Sequence, residues 1–366
     1  MGDREPEGRA VTRARGSVGR ITGSRGAGLG NEMIAWGKAH IGASVFDARL
    51  VDPPWSINPR PYRAGFGSSR ADLIPYAAAV AAPTVELDAT TVADTGLDDY
   101  WDVCEALRPM VDASGRRVIM HSSGMSGGFN GIRRARAFLQ GRLFAGGEVA
   151  AAGAEHELRK AGSVVVGVHA RAGDFREGTL GPGVWNVRTP VTWQADCVVA
   201  FSEQSALPLT VVVCSDDGAR GLVADLRRRL PAGSLVVPGS GSALADLARL
   251  SWADLVIPSV SSYSMAALFL GDALYAWPEQ HLTNEEGRLS IWGGEPRNDG
   301  VAGESGTSSR LTRGMPQGEA PNWPDWAIEQ LETRLLLRSD ATDLVLGGVV
   351  PEIGKTPGAT DESEAG

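Results

Sequence analysis

The stretch "VGVHARAGDF" (166–175) ends an apolar run with an imidazole, a guanidinium and a carboxylate, carried by His169, Arg171 and Asp174. An arginine can bind a phosphate or a carboxylate through two parallel charge-assisted hydrogen bonds. A histidine near neutral pH can donate or accept a hydrogen bond. Taken singly, His169 could be a satisfied core residue and Arg171 one half of a surface ion pair. The ends of the neighbouring strands decide between these interpretations.

Two other apolar runs also end in polar residues. The residues "SDD" (215–217) follow "VVVC", and "SVSSYS" (259–264) follows "LVIP". Each cluster alone is explained by helix capping, because Asp and Ser are favoured N-cap residues. The segment "SALADLARLSWAD" adds Asp246 and Asp254, which we expect at the same edge. Three such clusters together predict a ligand site, since ligands of open parallel sheets bind beyond the carboxyl ends of the strands.

The elements that must position these residues follow from the hydrophobic pattern after residue 160. Short runs of Val, Leu and Ile alternate there with longer segments of helical periodicity. The pattern predicts strands at 163–170, 208–215, 233–239, 255–259 and 273–278, separated by helices at 191–204, 218–230, 242–254 and 262–271. Apolar strands that alternate with helices are typical of a doubly wound parallel sheet, buried on both faces.

The chain divides into two predicted α/β domains. Residues 18–155 open with a short strand, a glycine-rich turn and an apolar-periodic helix, and form the first domain. Residues 156–340 form the second domain, which contains the parallel sheet. The polar segments 1–17 and 352–366 lack apolar periodicity and are expected to be disordered. The Pro- and Gly-rich segment 51–69 is expected to be a loop.

Composition and charge exclude several classes of protein. The chain has 366 residues and a formal net charge of −9, which argues against nonspecific binding to nucleic acids or anionic membranes. No apolar run approaches the length of a membrane-spanning helix, and the N-terminus lacks the apolar segment of a secretory signal. Cys104, Cys197 and Cys214 have no CxxC spacing, so we expect reduced core thiols in a cytoplasmic protein.

The polar residues at the strand ends suit a nucleoside diphosphate. Ser261 and Ser262 stand at a predicted helix N-terminus, where backbone N–H groups and the helix dipole favour a phosphate. Arg171 can bind the same group. Asp246 can accept hydrogen bonds from N1–H and the N2 amine of guanine, two adjacent donors that adenine lacks. The chemistry therefore predicts guanosine diphosphate as the ligand.

The glycine-rich segment "ITGSRGAGLGN" (21–31) offers a rival interpretation, a dinucleotide site of an NAD-dependent oxidoreductase. The pattern GxGxxG fails, however, because its last position is Asn31 when counted from Gly26 and Met33 when counted from Gly28. We expect instead a turn that leads Asn31 into the start of a helix, facing the cleft between the domains.

Four motifs together resemble a known superfamily. They are "GAGLGNEM" (26–33), "GVHARAGDF" (167–175), "VVVCSDD" (211–217) and "DLARLSWADLVIPSVSSYSMAA" (246–267). In this order and spacing they resemble the motifs of the fucosyltransferases, which include bacterial α-1,2 enzymes, α-1,6 and nodulation enzymes, and protein O-fucosyltransferases. The resemblance covers residues 20–35 and 160–280. Each motif is modest alone, and four in order make a more specific signal.

The resemblance implies a fold of GT-B type, with two Rossmann-like domains facing a cleft and the acceptor bound on the side of the first. It implies inverting transfer of a sugar, by default L-fucose, from a GDP-sugar to an acceptor hydroxyl, without metal or cofactor. His169 and Asp246 would contact guanine, and Arg171 the β-phosphate. The remaining residues expected at the nucleotide site are Ser215, Asp216, Ser261 and Ser262 from the second domain, and Gly28, Gly30 and Asn31 from the first.

Two departures from the family pattern keep alternatives open. Ala172 stands where the family usually has a second arginine, and Met265 where it often has a tryptophan. Another GDP-hexose donor, or a GDP-sugar-binding protein without catalytic activity, is therefore an alternative. Arg171 is the expected catalytic cation, since it would stabilise the departing phosphate. Asp174 and Glu177 are candidates for the general base, although Asp174 is equally a structural partner of Arg171.

The acceptor, a glycan or a small molecule, is not specified by the sequence. Trp55, Tyr62, Trp185 and Trp193 lie in or near predicted loops and could stack on the faces of sugars. Aromatic residues in loops are also often packing anchors. We favour packing for these four.

Overall fold

In a computed structural model the chain forms two parallel β-sheets with helices packed around them. The structure describes residues 15–20, 27–60, 62–178, 187–217, 219–276 and 322–347, with side chains in the last helix described up to Arg338. Trp185, Gly26 and the segment 352–366, with its predicted disorder, therefore lie outside the described residues. So do residues 1–14 of the predicted disordered N-terminus.

The first sheet consists of four parallel strands. They are β1 (Arg15–Gly19), β2 (Ala48–Val51), β3 (Thr84–Leu87) and β4 (Val118–His121), in the order β2–β1–β4–β3. Strand β1 begins at Arg15, so residues 15–17, which the sequence assigned to the disordered N-terminus, belong to the sheet. Gly16 and Ser17 pair with both neighbouring strands, which explains why a run with little apolar character is still ordered.

Eight helices belong to the first half of the chain within the described residues. They are α1 (Leu29–Val45), α2 (Tyr62–Gly65), α3 (Leu73–Ala81), α4 (Ala89–Ala93), α5 (Tyr100–Ala113), α6 (Gly128–Gly131), α7 (Arg136–Leu143) and α8 (Gly147–Lys160). The predicted loop at 51–69 is partly helical, since α2 and a 3-10 turn at Trp55–Ile57 lie within it. Aromatic stacking stabilises this segment: the ring centroids of Trp55 and Phe66 are 4.2 Å apart.

The second sheet confirms the predicted doubly wound arrangement. Its parallel strands are β5 (Val164–Ala170), β6 (Leu209–Ser215), β7 (Leu235–Pro238), β8 (Leu255–Ile257) and β9 (Leu274–Tyr275), in the order β7–β6–β5–β8–β9. The helices are α9 (Val191–Ser205), α10 (Arg220–Arg229), α11 (Ala243–Trp252), α12 (Ser262–Leu270) and α13 (Asp325–Gly347). Every residue of β5 is buried, as expected for a central strand covered on both faces.

The strand order reverses between β5 and β8, which are neighbours in the sheet but far apart in the chain. From β5 the chain proceeds to β6 and β7 on one side, then returns to β8 and β9 on the other. Such a reversal opens a crevice at the carboxyl ends of the strands, where open α/β sheets bind their ligands. The last residues of β5 and the loop after β8 flank this crevice.

Asp254 corrects one expectation about the crevice. Its carboxylate accepts a hydrogen bond from the backbone N–H of Val165 at 2.9 Å and pairs with Arg338. Val165 lies at the start of β5, so Asp254 is at the amino edge of the sheet, opposite Asp246. The reason is that α11 carries the chain back across the sheet between these two residues, over ten residues or about 15 Å.

The two halves pack on each other through helices. Helix α1 of the first half crosses α12 of the second at Gly30, where a Cβ atom would lie 2.1 Å from the carbonyl oxygen of Ser262. Only glycine permits this backbone approach. Helix α8 packs on α11, so the predicted domain boundary at 155/156 falls inside a helix that contacts the second half.

Two further expectations concern membrane-spanning helices and cysteines among the described residues. No helix among them is both long and apolar enough to cross a membrane. Cys104, Cys197 and Cys214 are buried and carry no disulfide bond. Burial raises the pKa of each thiol.

Candidate functional site

A cavity of about 500 Å³ lies at the carboxyl edge of the second sheet. Its volume is within the range of small-molecule sites. The ends of β5, β6 and β7 and the start of α11 form most of its wall, and two residues come from the first half of the chain. The lining residues are Arg60, Tyr62, His169, Arg171, Val213, Cys214, Ser215, Asp216, Pro238, Gly239, Ser240, Gly241, Ala243, Asp246 and Tyr263.

His169 forms the floor of the cavity. Its Nδ1 lies 2.6 Å from Ser264 Oγ, and its ring packs at 4.9 Å from the ring of Tyr263. Among the described residues no partner bonds Nε2, so this nitrogen is available to a ligand. Burial lowers the pKa of His169 to about 3, and the charge of Arg171 acts in the same direction. The imidazole is therefore neutral near pH 7.

Arg171 is held at the cavity wall by two carboxylates. Its Nη1 lies 2.5 Å from Asp216 Oδ2, and its Nη2 lies 2.5 Å from Asp174 Oδ1. The guanidinium also stacks on the ring of Phe175, at 5.3 Å from the centroid. Asp216 Oδ1 accepts a further bond from the backbone N–H of Ala172 at 2.7 Å. Asp216 thus fixes the end of β6 to the loop that follows β5.

The loop after β5 turns at Gly173, which precedes Asp174 in the chain and lies against Asp216. Its φ is +27°, and a Cβ atom there would lie 2.4 Å from Asp216 Oδ2. A larger residue would therefore meet both backbone strain and a clash. We infer that glycine at 173 is required for Arg171 and Asp216 to approach each other as they do.

Asp246 lies in the first turn of α11 and borders the same cavity as His169. Its Oδ1 accepts bonds from Ser240 N at 2.7 Å, Ser240 Oγ at 2.9 Å and Arg249 Nη1 at 3.1 Å. Its Oδ2 accepts one bond, from Gly241 N at 3.1 Å. A carboxylate oxygen has about two lone-pair sites, so only Oδ2 retains one for a ligand. In this arrangement Asp246 can take one donor of a guanine, and the second requires the loop at 239–241 to move.

The serines after β8 contact the elements that form the site and do not line the cavity. Ser261 caps α12, since its Oγ accepts a bond from Ser264 N at 3.3 Å, and neither Ser261 nor Ser262 borders the cavity. Two serines that the sequence did not single out contact the site strand instead. Ser264 binds His169, and Ser259 Oγ donates to the carbonyl of His169 at 2.6 Å while accepting from Arg171 N at 2.8 Å.

The three residues of the "SDD" cluster after β6 differ in their contacts. Ser215 and Asp216 border the cavity. Asp217 accepts bonds from Ser215 Oγ at 2.7 Å and from the backbone N–H of Ala219 at 2.9 Å, just before α10. Asp217 therefore forms a local turn before α10 and is not its N-cap, while its two neighbours border the cavity.

The residues expected from the glycine-rich segment lie beside the cavity rather than on its wall. Gly28 is the N-cap of α1, and Asn31 N donates to the Gly28 carbonyl at 3.0 Å. The Oδ1 atom of Asn31 is buried and has no hydrogen-bond partner among the described residues. Gly30 is buried against the backbone of Ser262. Gly30 is therefore part of the contact between the halves.

Arg60 and Tyr62 are the first-half residues that do border the cavity. Tyr62 OH accepts the backbone N–H of Leu29 at 2.9 Å, which satisfies a free donor at the start of α1. Arg60 Nη2 lies 3.7 Å from Asp174 Oδ2. No sequence pattern indicated Arg60 as a site residue, because its segment lacks periodicity. Trp55 and Trp193 are buried, which confirms the favoured packing role for these two.

The candidates for the general base differ in their surroundings. Desolvation acts to raise the pKa of Asp174, but the charge of Arg171, hydrogen bonds and the charge of Arg60 outweigh it, so the pKa is lowered. A carboxylate of lowered pKa is a poor base and a good partner for an arginine. Glu177 is exposed and is not part of the cavity wall. Across the described residues, no group of three or more His, Cys, Asp or Glu side chains is placed to hold a metal ion.

Comparison with known proteins gives likeness at the level of structure. No protein-family model and no curated protein matches the chain. The apo form of POFUT1 is 14% identical over 70% of this chain and 96% of its own, with a TM-score of 0.41. The fucosyltransferase NodZ from Bradyrhizobium is 16% identical over 71% and 94%, with a TM-score of 0.38. POFUT1 in complex with GDP-fucose is 15% identical over 47% of this chain and 55% of its own, about half its length, with a TM-score of 0.34.

Proposed function

We propose that this protein is an inverting glycosyltransferase that binds a GDP-sugar in the cavity and transfers the sugar, by default L-fucose, to an acceptor hydroxyl. The observation that carries the proposal is the convergence of His169, Arg171, Asp216 and Asp246 on one cavity at the carboxyl edge of the second sheet. These residues come from distant parts of the sequence. Helix capping accounts for none of them.

The Asp246 end of the cavity suits a base. A neutral imidazole and a carboxylate oxygen with one remaining acceptor site lie there with the backbone of Gly239, Ser240 and Gly241. Guanine offers N1–H and N2 donors to such acceptors and an O6 acceptor to a donor N–H. We expect the base to bind between His169 and Asp246, with one donor on Asp246 Oδ2.

The Arg171 end of the cavity suits the diphosphate. Because Asp216 and Asp174 fix the guanidinium, little side-chain freedom is lost when an anion binds. Asp174 is the more exposed partner, with 56% of its side chain accessible, and is the partner that a phosphate would displace.

The proposed reaction is a single displacement. The acceptor oxygen bonds to the anomeric carbon while the bond from that carbon to the β-phosphate oxygen breaks on the opposite face. GDP departs with the electron pair, and the acceptor proton passes to a base or to solvent. Arg171 stabilises the negative charge that develops on the leaving oxygen, so the main contribution is electrostatic and needs no metal or cofactor. Asp174, as the partner of Arg171, would position this cation.

Nucleotide-dependent thermal stability tests the proposal. A ligand that binds only the folded chain stabilises it by about 2.7 kcal/mol at a concentration of 100 times Kd. We expect GDP to raise Tm, and ADP, UDP and NAD to have no comparable effect. An increase with NAD but not GDP would support the oxidoreductase alternative instead.

A turnover assay separates catalysis from binding. The protein is incubated with GDP-fucose or GDP-mannose, with and without a panel of acceptors, and GDP release is measured. We expect GDP release with one of the two donors. Stabilisation by GDP without turnover of any donor would indicate the non-catalytic alternative.

A further inference from the structure

We propose that Arg60, from the first half of the chain, is a second cation of the diphosphate site and closes the donor cavity opposite Arg171. This inference rests on the proposed function and deepens it. It assigns a binding role to a residue that no sequence motif covers.

The backbone around Arg60 holds the side chain at the cavity. Arg60 N donates to Asn58 Oδ1 at 2.9 Å, and the Arg60 carbonyl accepts from Tyr62 N at 2.7 Å. Tyr62 in turn is bonded to the start of α1 through Leu29 N. The segment is thus held by local hydrogen bonds on both sides of Arg60, and a third of the Arg60 side chain remains accessible.

Arg60 and Arg171 converge on the same carboxylate. Asp174 Oδ2 lies 3.7 Å from Arg60 Nη2, and Asp174 Oδ1 lies 2.5 Å from Arg171 Nη2. Two guanidinium groups this close repel each other unless an anion lies between them. Asp174 supplies that anion in the structure. A diphosphate carries more charge and more acceptor oxygens, and would satisfy both cations together.

Formal charges show why one arginine is insufficient. Arg171 with Asp174 and Asp216 bears one positive and two negative charges, a balance that disfavours an incoming anion. Arg60 brings this cluster to neutrality. Position 172 cannot contribute, because it is a buried alanine whose N–H is bonded to Asp216. The loop after β5 therefore supplies one cation to the cavity wall, and Arg60 supplies another.

The test compares ligands that differ only in phosphate. Affinities of guanosine, GDP and inorganic pyrophosphate are measured by calorimetry for the wild type, Arg60→Gln and Arg63→Gln. Arg63 lies three residues away, is exposed, and donates to the carbonyl of Ser68. Its substitution makes the same change of charge in the same segment without touching the cavity. We expect Arg60→Gln to weaken GDP and pyrophosphate at least tenfold and to leave guanosine unchanged, while Arg63→Gln changes none of them more than twofold.

Each contrary outcome has a distinct meaning. Equal weakening of guanosine and GDP by Arg60→Gln, or equal effects of the two variants, would overturn the role of Arg60 and leave the proposed function standing. If the wild type binds UDP or ADP instead of GDP, the guanine assignment fails. A selective loss of that diphosphate in Arg60→Gln would then still support the second cation. If the wild type binds no nucleotide and no pyrophosphate, both proposals are wrong.

Discussion

Each sheet holds one buried histidine near the carboxyl end of an internal strand, and the two histidines have opposite uses. His121 is the last residue of β4, and His169 is the next to last of β5. Burial lowers the pKa of both to about 3, with a further contribution from a nearby cation, Lys38 for His121 and Arg171 for His169. Residue type, strand position and protonation state are therefore the same, and the difference lies in the partners.

His121 is fully engaged inside the first sheet. Its Nε2 lies 2.8 Å from Ser17 Oγ, and its Nδ1 lies 2.9 Å from Tyr100 OH. Because Ser17 Oγ donates its only proton to the Ala39 carbonyl, Nε2 must carry the hydrogen and Nδ1 must accept from Tyr100. No ring nitrogen remains for a ligand.

His169 uses one ring nitrogen within the fold and presents the other at a cavity. The comparison teaches that a polar residue at a strand end becomes a site residue when the fold leaves part of its hydrogen-bonding capacity unused. The first sheet buries its polar strand end in a closed network. The second sheet leaves its own polar strand end open at the cavity.

The largest expected effect comes from removing Arg171, the cation at the cavity of the second sheet. Arg171→Ala should lower transfer at least 100-fold, about 2.7 kcal/mol in the barrier, because the leaving phosphate loses its main stabilising charge. Arg134 is a matched control in the first half. It also pairs with two carboxylates, Asp99 and Asp102, and stacks on an aromatic ring, that of Trp101. Arg134→Ala should leave steady-state turnover within twofold of the wild type, and equal losses in both variants would contradict the comparison.

Replacing each histidine by alanine should separate an effect on folding stability from an effect on GDP binding. His121→Ala leaves two buried polar groups without their partner and should lower the free energy of unfolding by about 2 kcal/mol or more, measured by urea denaturation. His169→Ala loses one internal bond, so the destabilisation should be about half as large, and GDP affinity should fall roughly tenfold. His121→Ala should bind GDP normally wherever it is folded. If His121→Ala weakened GDP binding and His169→Ala mainly lowered stability, the roles assigned to the two histidines would be wrong.

The last expected effect is a change in the pH dependence of stability. A histidine with a pKa near 3 when folded and about 6.5 when unfolded contributes stability that is complete above pH 6.5 and is lost as pH falls, since the unfolded chain binds more protons. Each such group contributes a slope of about 1.4 kcal/mol per pH unit in that window. Burial raises the pKa of Glu32 to about 7, which acts in the opposite direction between pH 4.5 and 7.

The measurement that isolates one histidine is therefore a difference. Unfolding free energies of the wild type and His121→Ala are compared between pH 4 and 6, where Glu32 contributes equally to both. The two curves should converge as pH falls, because the variant lacks one proton-linked group. Parallel curves would show that His121 is protonated in the folded protein.

Much of the second sheet could be predicted from the sequence. Strands buried on both faces must be apolar along their length, so 164–170 and 209–215 stand out against the helices between them. The convergence of His169, Arg171 and Asp246 followed from topology alone, since parallel strands present their carboxyl ends at one edge.

What the sequence could not predict depends on side-chain partners and on irregular backbone. The bonds from the loop at 239–241 to Asp246, and the capping role of Ser261, are satisfied locally and have no periodic signature. Arg60 reaches the cavity through a Pro-rich segment whose path is set by aromatic packing around Trp55. The sequence analysis placed Asp254 at the wrong edge of the second sheet, because helix α11 begins at one edge of the sheet and ends at the opposite edge.

The approach of Gly30 to Ser262 has a mechanical consequence. Two helices that touch through bare backbone resist sliding past each other but can still rotate about the point of contact. The crossing of α1 and α12 therefore fixes the distance between the two halves at this point. A methyl group at position 30 would meet the carbonyl group of Ser262 and would force the two helices apart.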